Sequence, residues 1–169
     1  DFDLFDGAVI EAGRYAWNRT TLELQSSSAR TLGADLTLSR GGFYTGRSSE
    51  LELTVRGRFA PHVNVSVDYN RTSASLALVD SAVRFVARTA RLRLDVATSP
   101  RLNTTLFAQW DNESNRGALN ARVRWTSSPG SDLYLVWTSQ WPTDLPNGVP
   151  WRTPTRGTFV AKYVKYFRV

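Results

Sequence analysis

The segment Glu50-Leu51-Glu52-Leu53-Thr54-Val55-Arg56-Gly57-Arg58-Phe59 alternates polar and apolar residues without a break, with Gly57 as a neutral step. Successive side chains of an extended strand point to opposite faces. Leu51, Leu53, Val55 and Phe59 therefore share one face, and Glu50, Glu52, Thr54, Arg56 and Arg58 the other. The same pattern recurs along the chain. Leu32, Ala34, Leu36 and Leu38 oppose Thr31, Asp35, Thr37 and Ser39, and Val63, Val65, Val67 and Tyr69 oppose Asn64, Ser66, Asp68 and Asn70. Further on, Ala90, Leu92, Leu94 and Val96 oppose Arg91, Arg93 and Asp95, and Leu119, Ala121, Val123 and Trp125 oppose Asn120, Arg122, Arg124 and Thr126. Leu133, Leu135, Trp137 and Trp141 then oppose Tyr134, Thr138 and Gln140.

Together these runs predict nine long strands near 13–28, 30–42, 46–59, 62–72, 83–98, 101–113, 117–127, 132–142 and 157–169. Helix-period stretches are missing, with 82–90 the only ambiguous one. The expected fold is all-β, an antiparallel up-and-down meander of nine or ten strands. Its connections are expected to alternate in length. Links at Phe59–His62, Ser99–Arg101 and Ser127–Ser131 are tight, while 73–82 and 143–156 are long and 111–117 is intermediate. Outer-membrane barrels combine short periplasmic turns with longer outer loops in this way.

A soluble sandwich or barrel turns its apolar face inward, whereas a membrane barrel turns it toward lipid and lines its lumen with polar residues. Alternation is common to both. Three features favour the membrane. The polar face carries both charge signs, with lumen-lining candidates Glu50, Glu52, Arg56, Arg58 and Asp68 in the first half. Arg91, Arg93, Asp95, Arg122 and Arg124 follow in the second. The strands reach the length of about 9 to 11 residues that crosses a bilayer at a slant. Aromatics collect near strand ends, with girdle candidates Trp17, Tyr44, Phe59, Trp110, Trp125, Trp141 and Phe167.

Composition removes other chemistries. There is no Cys, which excludes disulfide scaffolds and thiolate metal sites, and the one His, His62, cannot form an imidazole cluster. No metal or cofactor is called for. Apolar residues make up 41% of the chain, too many for a disordered segment. The net charge of +6 and pI near 10.2 invite a nucleic-acid reading, but the arginines are spread singly over strands and interleaved with carboxylates. No nucleic-acid partner is expected. Gly41-Gly42 sits at a strand end without a following helix, so it is no phosphate loop. Five matches to the glycosylation pattern, at Asn18, Asn64, Asn70, Asn103 and Asn112, read as chance in Asn/Thr-rich strands.

Several segments carry a family resemblance. They are Gly13-Arg14-Tyr15-Ala16-Trp17, Gly42-Phe43-Tyr44-Thr45-Gly46, Gln109-Trp110-Asp111, the run from Asn120 to Trp137, and Val160 to Arg168. The chain resembles the C-terminal barrel of the large bacterial proteins classed as domain of unknown function 5916. In those proteins a carbohydrate-binding domain similar to carbohydrate-binding module family 9 precedes an outer-membrane-type barrel. The resemblance implies a bacterial outer-membrane location, with no catalytic residues to carry over. Family members are several times longer, and nothing here corresponds to the carbohydrate-binding domain. Residues 1–12 read as a lead-in or outer loop, 13–169 as barrel strands, and 157–169 as the closing strand, with Lys165 interrupting its apolar side. The chain starts without Met, as a processed or trimmed product would. Nine strands suggest a segment of a longer barrel. A hairpin of 8–17 with 19–28 would instead make ten strands and a small complete barrel.

The expected function is a non-catalytic membrane anchor or passage for a surface assembly. Its partners are outer-membrane lipid and the remaining strands of the barrel or other surface proteins. Arg91, Arg93, Arg122 and Arg124 would bias an open pore toward anions. Glu50 and Glu52 are expected in ion pairs with Arg56 and Arg58 rather than in glycoside hydrolysis. The alternative is a secreted soluble β-sandwich or barrel that binds carbohydrate through exposed aromatics, among them Trp137, Trp141 and Trp151.

Overall fold

The structure, a computed structural model, describes residues 13–27, 29–77, 82–144 and 156–166, with the backbone of Phe2–Asp3 and Val9–Ile10. All of its regular structure is β. The strands are β1 (Phe2–Asp3), β2 (Val9–Ile10), β3 (Arg19–Gln25), β4 (Leu32–Phe43), β5 (Gly46–Ala60), β6 (Val63–Ala77), β7 (Ala82–Ser99), β8 (Leu102–Asp111), β9 (Arg116–Ser128), β10 (Ser131–Pro142) and β11 (Arg156–Val164). β1 pairs only with β2. The other nine form one antiparallel sheet in the order β11-β10-β9-β8-β7-β6-β5-β4-β3, each strand beside its neighbours in sequence.

Turn chemistry sets where each strand stops. Pro61, Pro100 and Pro129 cannot donate to a ladder, and each falls in a link of two residues at one end of the sheet. That end, which also holds residues 26–31, is called the turn end. The opposite, loop end holds residues 44–45 and 112–115, and Ala77, Ala82, Pro142 and Arg156 end or begin their strands there.

Register turns nine separate alternations into two continuous faces. One row of direct partners reads Leu24, Leu36, Leu53, Tyr69, Ala90, Trp110, Gly117, Trp141. Another reads Leu32, Gly57, Val65, Leu94, Leu106, Ala121, Trp137, Phe159. The stripe from Gly117 to Trp125 measures about 27 Å along its strand.

Among the described residues no second layer covers either face. Ala74 and Leu76 are the only buried apolar side chains among the described residues, while Leu22, Leu24, Leu32, Val67, Leu92, Trp125 and Trp137 are exposed. The chain exposes 12461 Å², against about 8,300 Å² for a compact monomer of this mass by the usual scaling. β3 and β11 form the two edges, with no contact between them, and both are exposed over nearly their whole length.

Three boundaries depart from the sequence reading. The first long strand starts at Arg19 rather than residue 13, because Tyr15 and Trp17 pack on the ring of Tyr44 instead of joining the ladder, at centroid distances of 5.4 and 5.2 Å. The ten-strand hairpin of 8–17 with 19–28 is therefore absent among the described residues. Residues 73–82 are not a long link. Alternation resumes in the opposite phase at Ser73-Ala74-Ser75-Leu76, with Ala74 and Leu76 buried on the face that carries Glu50 and Asp68, and β6 pairs with β7 as far as Ala77 opposite Ala82. The expected contrast between short and long connections is correspondingly weaker, and residues 143–155 carry most of it. β11 ends at Val164, so Lys165 lies beyond it; Phe167 and Val169 fall outside the described residues.

Gly117 is required by a close approach. A Cβ there would lie 2.4–2.6 Å from ring atoms of Trp141, its direct partner on β10. Gly117→Ala is expected to lower unfolding free energy by about 1–3 kcal/mol, the usual cost of overpacking, in urea titrations of the detergent-solubilised chain. In a Trp141→Ala background the penalty should largely vanish. An equal penalty in both backgrounds contradicts the contact.

Candidate functional site: a two-faced sheet

All ten residues expected to line a lumen fall on one face. The register places Glu50, Glu52, Arg56 and Arg58 of β5, Asp68 of β6, Arg91, Arg93 and Asp95 of β7, and Arg122 and Arg124 of β9 on the same side of the sheet. The eight carboxylates of β3–β11 all lie on this polar face: Glu23, Asp35, Glu50, Glu52, Asp68, Asp95, Asp111 and Asp132.

Most of these groups are held by cross-strand contacts. Arg19 of β3 lies opposite Gly41 of β4, where a Cβ would meet the Arg19 backbone at 2.6 Å. With no side chain in the way, the guanidinium spans β4 to donate to Glu50 Oε1 at 2.9 Å and Ser48 Oγ at 3.0 Å on β5. Arg56 donates to Asp35 on β4. Thr54 donates to Asp68 at 2.8 Å, and Thr105 to Asp95 at 2.8 Å. Arg93 holds the other side of Asp95 through Nε at 2.7 Å. At the turn end Asp132 accepts from Thr126 at 2.6 Å and Arg124 at 3.1 Å, and the Arg124 guanidinium lies 5.8 Å from the Tyr134 ring centre. Asn120 donates to Thr138 at 3.1 Å between β9 and β10.

The pairing partners differ from those expected. Glu50 pairs with Arg19 and Arg56 with Asp35, not with each other: Asp35 lies on the strand next to Arg56, and Arg19 reaches Glu50 over the gap that Gly41 leaves on β4. Glu52, Arg58, Arg91 and Arg122 have no ion-pair partner among the described residues. Within the expected arginine ring, Arg93 and Arg124 are neutralised by Asp95 and Asp132, which leaves Arg91 and Arg122 to act on a passing anion. The polar face also includes Phe107, Val136 and Val160, so it is not uniformly hydrophilic. No group of three or more His, Cys, Asp or Glu suited to a metal ion occurs among the described residues.

The opposite face carries the aromatics at its two ends. Trp110 and Trp141 share a row at the loop end, and Trp110 Nε1 donates to Thr143 at 3.2 Å. Trp17 and Tyr44 lie at the same end. Trp125 shares a row with Leu102, Leu133 and Tyr163 at the turn end, where the Phe59 ring lies against Gly57. Phe167 and Trp151 fall outside the described residues. Sequence reading missed Arg19, Asp132 and Tyr134 as members of the polar network. It also missed five arginines at the loop end of the apolar face, though their parity with Leu38, Leu51, Tyr69 and Ala90 marks them.

The Asp132 cluster makes a direct test of the network. Asp132→Asn should lower the urea midpoint, and Arg124→Gln/Asp132→Asn should be no less stable than Asp132→Asn alone, since Arg124 has already lost its acceptor. A fully additive second loss contradicts the pairing.

No family model matches the chain, and no protein of curated function matches it.

Proposed function

We propose that this chain is part of a bacterial outer-membrane β-barrel that serves as an anchor or passage for a surface assembly and performs no catalysis of its own. The observation that carries this reading is charge segregation in a single layer. Every carboxylate of β3–β11 and every ion pair among the described residues lies on one face, while Leu, Val, Ala and aromatic rows cover the middle of the other with no described residue layered over them. Water would penalise such an apolar surface, and hydrocarbon would not. Stripes of about 27 Å, tilted as barrel strands are, rise about 20 Å and cover most of an apolar band about 25 Å tall. Aromatics at both ends suit the two interfaces.

The two edges fit the same reading. Unpaired N–H and C=O groups of β3 and β11 cannot remain open in lipid, so in the membrane they pair with the remaining strands of the barrel. The resemblance to the barrel of the domain-of-unknown-function 5916 proteins agrees with this. With the turn end periplasmic, β11 runs toward the periplasm and the loop end faces outward. On the polar face, Arg91 and Arg122 favour anions if the lumen conducts.

The soluble carbohydrate-binding reading has one observation in its favour. Trp137 and Phe159 are direct partners, 47% and 65% exposed, and together offer a flat aromatic surface to a sugar ring. It would leave Leu22, Leu24, Val67 and Leu92 in water as well, a patch far larger than soluble monomers usually expose.

Two substitutions on β6 separate these readings. Val67→Arg places a charge on the apolar face at mid-strand and should cost about 2–4 kcal/mol of folding free energy in lipid vesicles, read as loss of the protease-protected inserted fraction. Asn70→Arg, on the polar face beside Glu52, should insert like the parent. Equal tolerance of the two substitutions, with a parent chain soluble without detergent, sinks the membrane reading.

A further inference from the structure

We propose that the loop end of the apolar face binds the phosphate groups of a membrane lipid, whose acyl chains lie along the adjoining leucines of β3, β4 and β5. This rests on the membrane reading above. Five charged residues occur on the apolar face of β3–β11, and all are arginines: Arg40 of β4, Arg47 of β5, Arg71 of β6, and Arg84 and Arg88 of β7. They occupy four adjacent strands, all beyond the row that contains Trp110, Gly117 and Trp141 on the way to the loops. No carboxylate shares their face.

Two features point to an anion rather than to a solvated surface. First, Arg71 and Arg88 are direct cross-strand partners. Like charges in that position repel, and a shared anion would relieve the repulsion. Second, none of the five is in an ion pair among the described residues, whereas Arg19, Arg56, Arg93 and Arg124 on the other face each hold a carboxylate. All five are exposed.

The shape fits a lipid better than a free ion. Arg40, Arg47, Arg71 and Arg84 line a depression of about 470 Å³ that also presents Ser49, Ser73 and Ser75. Arg47 and Arg84 flank Ser75 on neighbouring strands, about 10 Å apart at the backbone. Guanidinium forks at that spacing can grip phosphate oxygens while serine hydroxyls donate to the rest. A second hollow, of about 580 Å³, shares Arg40, Ser49 and Arg71 with the first, continues over Leu22, Leu38 and Leu51, and is also lined by Glu50, whose carboxylate is engaged by Arg19 on the polar face. Arg71 and Arg88 stand in the same cross-strand row as Leu22, Leu38 and Leu51, so head-group chemistry and acyl chemistry adjoin side by side on one face.

The test uses the full chain folded in detergent micelles, with native mass spectrometry of bound diphosphoryl lipid A, monophosphoryl lipid A and inorganic phosphate. The triple variant Arg47→Gln/Arg71→Gln/Arg84→Gln is compared with Arg116→Gln/Arg156→Gln/Lys162→Gln, which removes equal charge from the polar face. Expected is a loss of diphosphoryl lipid A affinity of about tenfold or more in the first variant, as for removal of charge-assisted hydrogen bonds. The second variant should bind like the parent, the monophosphoryl lipid should bind more weakly, and millimolar phosphate should not displace either lipid. Equal weakening by both triples would reduce the site to general charge attraction and overturn it. Displacement by inorganic phosphate would overturn it as a lipid site. A parallel measurement of Trp137 quenching by brominated phosphatidylcholine in neutral vesicles separates the two levels. Quenching together with arginine variants that bind like the parent overturns the lipid site alone, and no quenching overturns the membrane reading with it.

Discussion

The cross-strand register of β3–β11 is the constraint on which the rest of the structure depends. Each strand has a polar and an apolar side, but a sheet has two faces only if every neighbour pairs in phase. A slip of one residue in any strand would turn its apolar set to the other side and bring leucines among the carboxylates. The rows from Leu24 to Trp141 and from Leu32 to Phe159 run through eight strands each without such a slip. The irregularities at Arg58/Ala60, Ala97/Ser99 and Ser131/Asp132 all lie at the turn end, where they leave the apolar rows in phase.

Given that register, the chemistry of the two faces follows. Hydroxyls, amides and charges of neighbouring strands come within hydrogen-bond distance on one side, so Asp68, Asp95 and Asp132 each accept from a threonine on the adjacent strand or nearby turn. The other side gathers branched and aromatic carbon with nothing layered over it. A soluble protein of this size stabilises itself by packing two layers around a core; this sheet has one layer and two buried apolar side chains among the described residues. Its stability must therefore come from surroundings that suit the uncovered face, and from whatever completes the edges at β3 and β11.

Much of the strand plan was legible in the sequence because period two is a local signal. Residues 46–59, 117–127 and 132–142 carry it almost unbroken, and the observed strands match them within a few residues. Where alternation is carried by small residues and reverses phase it was overlooked, as in Ser73-Ala74-Ser75-Leu76, whose place in β6 depends on pairing with β5 and β7. Tyr15 and Trp17 have strand-like character, but tertiary ring contacts with Tyr44 claim them instead. Which face each charge takes was readable from parity. Which partner it finds was not, because Arg19 reaches Glu50 across an intervening strand, and only the register brings residues 31 positions apart together.

The absence of cysteine from the sequence makes the chain suited to single-site labelling. Spin labels placed one at a time from Leu119 to Arg124, in the chain reconstituted in lipid vesicles, report contact with oxygen, which concentrates in hydrocarbon, and with a water-soluble nickel chelate. Expected is a period of two, with oxygen contact at Leu119, Ala121 and Val123 and nickel contact at Asn120, Arg122 and Arg124. The opposite phase, or nickel contact at all six positions, contradicts the assignment of the apolar face to lipid.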